Sequence, residues 1–411
     1  MSTTGGARRL LVRDLAQVAT PAGSSAPLRG RALGQVDVIE DAFVLCAGNS
    51  IEAVGRMRDL PGLDGDIEEL DGRGLCAIPG LVDCHTHACF AGDRVEEFAL
   101  RATGASYEEL HAAGGGILST VRATRDAGEQ ALADAVQKHR GWMMRAGTTT
   151  FESKSGYGLD RDTELASLRA VQEAGGVPTW LGAHAVPPEF DDADAYLDFA
   201  LAEVLPAAAQ MAEAADIFVE RGAFDATQAR RYLTACAEAG LALRLHGDQF
   251  TEQGAVPLAI ELEARSIDHL EATGAAGVAA LGKSDVAAVL LPMSALFLGR
   301  PMPPGRALVD AGAIVALATD FNPGSAFCES LPLVCSLAAT QLRLSPAEAL
   351  AACTVNAAHV IGRADCRGRL APDYDADIVL LEASDWRYLA YHLGASLVAG
   401  VILHGEPAEL G

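Results

Sequence analysis

The apolar positions of this chain change period twice. Over residues 1–78, the short runs RRLLVRDL, VDVIEDAFVLCAG, SIEAVGR and IEELDGRGLCAIPG are separated by turn residues, a pattern that predicts small strands and no long helix. Over residues 79–365, strand-like runs alternate with helical stretches. The predicted strands are GLVDCHTH, TTTFESKSG, TWLGAHAV, LALRLHGD, SIDHL, AAVLLPMS and AIVALATD. A helix is predicted over 127–146, where Leu132, Val136, His139 and Met143 share one face. Others are predicted over 163–174, closed by Gly175 and Gly176, and over 226–239, closed by Gly240. A fourth opens at Ser345-Pro346-Ala347-Glu348, a capping box with proline in the first turn. After residue 366 short strands return in GRLAPDYDADIVLLEA and SLVAGVILHG.

Strands that alternate with helices form a parallel sheet with right-handed crossovers. About eight such units over 79–365 fit a closed α/β barrel of the (β/α)8 TIM type. Segments 1–78 and 366–411 are each too short for a core of their own. They are expected to join in one small β-sandwich domain. The acidic, alanine-rich stretch 188–215 reads as an amphipathic helix inserted in a long connection, without chemistry. No internal repeat or low-complexity linker interrupts this order.

Composition narrows the function. Half of the 411 residues are hydrophobic and 21% are charged, which excludes a disordered chain. The formal net charge of −24 disfavours both a nucleic-acid binder and adhesion to an anionic membrane. An anionic substrate would need positive charge concentrated at its site. The longest apolar run, Val286 to Leu298, is broken by Pro292 and Ser294 and is too short to span a bilayer. The opening MSTTGGARRLLVRDLAQ lacks a signal-peptide apolar core. Nine cysteines without a CxxC pair suggest reduced thiols in a cytoplasmic protein. A homodimer is the expected assembly, as the commonest closed one.

The chemistry begins with His85-Thr86-His87. Residues at i and i+2 of a strand share a face, so two imidazoles at a strand end can bind one metal ion. An isolated HxH is a weak signal, but barrel active sites lie at the C-terminal strand ends. His184 ends TWLGAHAV, His246 ends LALRLHGD, His269 ends SIDHL and Asp320 ends AIVALATD. Any one of these histidines, taken alone, would be a buried, hydrogen-bonded core residue. As a set they fall at matching positions on different strands. His111, His139, His359, His392 and His404 fall in helical or peripheral stretches and read as structural. The gap from His184 to His246 is read as one unit carrying the acidic insertion. Three imidazoles and a carboxylate leave a position open for water, as in catalytic metal sites, and bound water ionises near pH ~7. Zinc and ferrous iron both suit nitrogen and oxygen donors.

PGLVDCHTH, the strand-end histidines and the ATD aspartate resemble the amidohydrolase superfamily. The segments FAGDRVEEFALRATGASYEELHAAGGGILSTVRATR, ESKSGYGLD, LGAHAVPPE, LHGDQF, SIDHLEATG, LLPMSALFLG, TDFNPGS and CTVNAAHVIG resemble one family within it, the imidazolonepropionases. The resemblance implies hydrolysis of the cyclic amide of 4-imidazolone-5-propanoate to N-formimino-L-glutamate in L-histidine catabolism. It implies one divalent metal, Zn(2+) or Fe(2+), on His85, His87, His246 and Asp320. It implies substrate contacts at Arg94, Tyr157, His184, Gln249, Asn322, Gly324 and Ser325, and a catalytic role for Asp320 and His269. Some relatives carry Glu at the Gln249 position. An amide holds a ring but is no base at neutral pH.

This substrate is a small anion, and Arg94 in AGDR could grip its propionate bidentately, although a plain surface arginine would look the same in this stretch. Tyr157 sits between glycines on a loop, and Asn322-Pro323-Gly324-Ser325 is turn chemistry that could offer N–H groups to an anion. In the expected mechanism, activated water attacks the ring carbonyl, Asp320 moves its proton to the departing nitrogen, and His269 polarises the carbonyl oxygen. Some superfamily members bridge two metals with a carboxylated lysine. Lys154 in ESKSG is the one lysine in a comparable place, and it reads as a supporting residue. Gly114-Gly115-Gly116 is no phosphate loop, since no GK[ST] follows, and is expected to let a loop pass near the site. Two rival readings are a purine or pyrimidine deaminase, which has no use for a carboxylate-binding arginine, and a barrel that has lost catalysis, which should lack metal ligands.

Overall fold

The computed structural model describes residues 8–104 and 115–410. His111, Gly114 of the glycine run and the first seven residues lie outside them. In chain order the strands are β1 (Arg9–Pro21), β2 (Val36–Ala47), β3 (Ser50–Arg56), β4 (Glu68–Asp71) and β5 (Cys76–Pro79). Next come β6 (Leu81–Asp83), β7 (Thr148–Lys154), β8 (Val177–Ala183), β9 (Ala214–Val219), β10 (Ala242–Gly247), β11 (Ser266–His269), β12 (Ala287–Leu290) and β13 (Ile314–Leu317). The last are β14 (Ile378–Leu381), β15 (Val398–Leu403) and β16 (Glu406–Pro407).

The two ends of the chain share one mixed sheet, in the order β16-β15-β14-β5-β1-β2-β3, with β4 pairing β1. β14 binds antiparallel to β5, which runs parallel to β1. Its core is almost wholly aliphatic: Leu10, Val12, Leu15, Val18, Val44, Ile378, Leu380 and Ile402 are all buried. Neither end could shield these residues alone.

Strands β6 to β13 follow one another in a second sheet, with parallel pairing from β7 onward. A parallel bridge between Thr86 and Phe321 joins the chain beyond β6 to the chain beyond β13 and closes the ring. Asp320 N–H donates to the His85 carbonyl at 3.0 Å and His87 N–H to the Phe321 carbonyl at 2.9 Å. The closing seam therefore runs through three of the predicted site residues. β12 and β13 are buried throughout, as expected of strands covered on both faces.

The helices follow the sequence signals. Glu129–Arg145 buries Leu132, Val136, His139 and Met143. Asp160 caps Arg161–Glu173, and Asp225 with Gln228 forms a capping box on Ala226–Glu238. Ser345 and Glu348 box the start of Pro346–Ala352.

One expectation fails. The stretch 188–215 is not a helical insertion in a single unit. It contains the short helical pieces Ala193–Phe199, Ala200–Val204 and Leu205–Ala208 of a normal crossover, and its last two residues begin β9. The interval from His184 to His246 thus spans two units. The run AADIFV was hidden because alanines and a buried aspartate break the β-branched signature of a strand.

The chain divides into two compact units, one of residues 1–84, 141–150 and 330–411, the other of 85–140 and 151–329. Every site residue predicted above lies in the second. Among the described residues no helix is long and apolar enough to cross a membrane, and all nine cysteines are free of disulfides.

Candidate active site

At the C-terminal mouth of the barrel, side chains from the ends of β6, β10, β11 and β13 meet. Asp320 Oδ1 lies 3.4 Å from both His85 Nε2 and His87 Nε2, and His87 Nε2 lies 3.3 Å from His246 Nε2. Four donors around a tetrahedral ion at roughly 2.0–2.1 Å would be about 3.3 Å apart. The spacing is therefore that of a metal site. His85, His87 and His246 also group as possible ligands, as do His85, His269 and Asp320, with all atoms of each group within 4.8 Å of one another.

The second ring nitrogens decide which way the imidazoles point. His85 Nδ1 lies 2.5 Å from Asp268 Oδ2, and His246 Nδ1 lies 3.0 Å from Asp216 Oδ1. Ionised carboxylates only accept, so each Nδ1 carries the proton and each Nε2 keeps its lone pair. These lone pairs face the same small space as the Asp320 carboxylate. Acceptors that converge in this way need a cation between them.

Beneath the donors lies a buried layer of charge. Lys154 Nζ stands 2.8 Å from Glu152 Oε1 and 3.0 Å from Asp216 Oδ2. Arg244 reaches Asp268 Oδ2 at 2.8 Å and Glu152 Oε1 at 3.2 Å. Burial alone would raise the Asp268 carboxyl, but Arg244 and His85 hold it far below the usual range. Burial would likewise raise Asp216, and His246 and Lys154 reverse it. Burial and Arg244 would lower Lys154, yet Glu152, Asp216 and Asp268 keep it above its ordinary value. Lys154 is thus an ammonium among carboxylates. Carboxylation would turn it into an anion beside three others, so it does not suit a second metal.

Backbone strain places two of the groups. His269 has φ +86° and the next residue, Leu270, +71°; Asp320 has +56°. Left-handed backbone costs a non-glycine residue of order 1 kcal/mol or more and persists where the surroundings impose it. In a regular strand Asp268 and His269 would face opposite sides. Here Asp268 touches His85 while the His269 ring also lies 5.8 Å from that of His85 and 5.3 Å from that of His246. Burial opposes a charge on His269, but Glu271, 3.3 Å from Nδ1, pushes it up to about 8.

Of the remaining predicted residues, His184, Tyr157 and Ser325 touch this cluster. The His184 ring stacks on His87, with centroids 5.3 Å apart, and lies 5.2 Å from Tyr157. His184 Nδ1 meets the Gly156 carbonyl at 2.9 Å, which leaves Nε2 as an acceptor. Burial, with His87 next, lowers His184 to about 3, so it is neutral. Burial raises the Tyr157 phenol, so it stays protonated. Gln249 is buried, its Nε2 3.4 Å from Ser294 Oγ. The Arg94 guanidinium lies against Gly324, where a Cβ would overlap it. The Asn322 turn differs from expectation: Asn322 Oδ1 itself accepts the Gly324 and Ser325 N–H groups at 2.8 Å each, so the turn spends these donors internally. Ser325 Oγ reaches Asp320 Oδ2 at 3.5 Å.

The sequence reading missed Glu152, Asp216, Arg244, Asp268 and Glu271. Most were findable. Glu152 with Lys154, and Arg244 with His246, stand two apart on barrel strands, and the period of two sends each pair inward together. Asp216 was lost with β9.

The chain matches the model of the amidohydrolase family over residues 76–406. It is 61% identical to an imidazolonepropionase of Rubrobacter xylanophilus over 406 residues, which cover 96% of this chain and 97% of that protein. With the imidazolonepropionase of Chloroflexus aggregans it shares 46% identity over 416 residues, 97% of each. An adenosine deaminase structure from Xanthomonas campestris with bound zinc superposes at a TM-score of 0.72 and 18% identity, over 97% of this chain and 92% of that one. An atrazine chlorohydrolase from Arthrobacter aurescens, complexed with zinc, gives 0.71 and 18%, over 97% and 94%. At such identity the last two bear on the fold alone.

Proposed function

The chain belongs to the amidohydrolase family and, within it, to the imidazolonepropionases, and from that premise we propose that the cluster at the barrel mouth is where it hydrolyses 4-imidazolone-5-propanoate to N-formimino-L-glutamate in L-histidine catabolism. The observation that carries the reading is the convergence of His85, His87, His246 and Asp320 at tetrahedral spacing, with the Arg94 cation at the rim. These four residues would hold one divalent ion, zinc or ferrous iron, since the donor set suits both. Such an ion polarises a carbonyl oxygen and makes water acidic near pH ~7.

The chain's own groups do the rest. Asp320 takes the proton of the attacking water and passes it to the ring nitrogen as the C–N bond breaks. His269, kept protonated by Glu271, donates to the carbonyl oxygen as charge gathers there. His184 Nε2 accepts a ring N–H, the Tyr157 phenol donates, and Gln249 holds the ring without acting as a base. Asn322, Gly324 and Ser325 shape the wall beside Asp320. Arg94 binds the propionate.

The test is the ultraviolet absorbance of imidazolonepropionate during turnover by the purified enzyme. Chelator should abolish its loss, and zinc or ferrous iron should restore it at one ion per chain. Turnover that ignores chelator, two ions per chain, or preference for guanine or cytosine would each overturn part of the reading.

The same proposal takes the protein as cytoplasmic, in line with its nine free cysteines, without nucleic-acid or membrane partners, in line with the −24 charge, and as a homodimer, the commonest closed assembly. It takes 79–365 as the catalytic barrel, and 1–78 with 366–411 as its flanking β domain. Sedimentation checks the dimer.

A further inference from the structure

We propose that Arg101 is a second guanidinium for the substrate's propionate, acting beside Arg94; this rests on the substrate reading given above. Arg94, Glu97 and Arg101 stand at i, i+3 and i+7 along the helix Val95–Ala102, of which Arg94 is the N-cap. That spacing sets them on one stripe. All three are half-buried, whereas Asp93 and Glu96 are exposed.

Glu97 grips Arg94 as a fork, with Nε 2.9 Å from Oε2 and the second contact between NH2 and Oε1. Glu97 Oε2 also accepts the Gly116 N–H at 2.8 Å. Arg94 therefore meets the substrate with its charge already balanced. An anion reaching such a pair gains hydrogen bonds and little net attraction. The nearby turn does not help, because the Gly324 and Ser325 N–H groups are given to Asn322. The missing positive charge must come from a side chain.

Arg101 supplies it. Its NH1 donates to the Gly324 carbonyl at 3.5 Å, and its guanidinium carbon lies 4.8 Å from the Phe297 ring centroid and 5.9 Å from that of Phe98. The rings hold the flat cation in place. Arg94 packs against the same glycine. Among the described residues, two guanidiniums thus converge on one peptide with the Glu97 carboxylate beside them, two cations to one anion before the propionate arrives. Burial disfavours the charge on Arg101, Glu97 favours it and Arg94 disfavours it, so an incoming anion relieves a strained cation.

The experiment is steady-state kinetics of the full-length, metal-loaded enzyme and its Arg101→Met and Arg101→Lys variants. The substrates are imidazolonepropionate and its propionamide analogue, in which a neutral amide replaces the carboxylate. Arg101→Met should raise KM for the acid roughly 10- to 100-fold with kcat nearly kept, as expected for one lost charged hydrogen bond. It should leave kcat/KM for the amide unchanged, and Arg101→Lys should recover part of the loss. An equal loss on acid and amide would make Arg101 a prop for the Gly324 turn and overturn the inference, as would an unaltered KM for the acid. If Arg101→Met does not fold, Arg101→Lys and the wild-type ratio of acid to amide carry the test. A wild-type enzyme inactive on imidazolonepropionate would instead overturn the substrate reading, and this inference with it.

Discussion

The interiors of the mixed sheet and of the barrel mouth are built on opposite principles. In the sheet, Leu10, Val12, Leu15, Val18, Val44 and Ile378 pack a core of aliphatic side chains, each gaining about 25 cal/mol per Å² removed from water. At the barrel mouth, Glu152, Lys154, Asp216, Arg244 and Asp268 are equally inaccessible to solvent. Every one of these charges costs several kcal/mol to dehydrate, and pairing returns that cost only in part. The sheet core serves stability. The charged layer orients His85 and His246, and its excess of carboxylate over cation leaves room for a metal ion's charge.

The largest effect that would test this contrast is chemical. Asp320→Asn should cut kcat about a thousandfold or more, since it removes both a ligand and the proton carrier. The variant should still fold, because asparagine tolerates φ +56° as aspartate does. Near-normal turnover in that variant would remove the assigned role. Next comes Lys154→Met, which strands buried carboxylates and should cost about 3–5 kcal/mol in denaturant unfolding. A neutral result would mean that the charged layer is not held by pairing. Leu15→Ala should cost about 2–5 kcal/mol through a cavity while turnover per folded chain stays intact. If its kcat fell in step with Asp320→Asn, the separation between the two interiors would fail.

The smallest effect is a pH slope. Burial pushes His139 below its ordinary value, against the pull of the Ala88 carbonyl 2.7 Å from Nδ1. The unfolded chain then takes up this proton first, below pH ~6.5. Above that pH the group contributes nothing that varies. Below it, stability should fall by at most about 1.4 kcal/mol per pH unit, until the folded pKa is reached. Unfolding of wild type and His139→Phe at several pH values should show the shallower slope in the variant; parallel curves would mean His139 titrates normally.

Much of the mouth was legible because strand ends are legible. His85 with His87, and the histidines at 184, 246 and 269, each close an apolar run, and barrel geometry brings such ends together. The charged layer was less legible, although Arg244 sits two residues before His246 on the same face. β9 was not legible at all: AADIFV follows an alanine-rich acidic helix without a turn signal, and its aspartate suggested surface.

By itself the sequence determined the alternation of strand and helix, the helix caps and the donor types, since all of these follow from local periodicity and side-chain chemistry. The tertiary structure alone decided the rest. Which carboxylate holds which imidazole, and the turning of His269 and Asp320 by left-handed backbone, depend on groups tens to hundreds of residues apart. Such pairings follow from where ring closure puts the strands, and no local pattern encodes them.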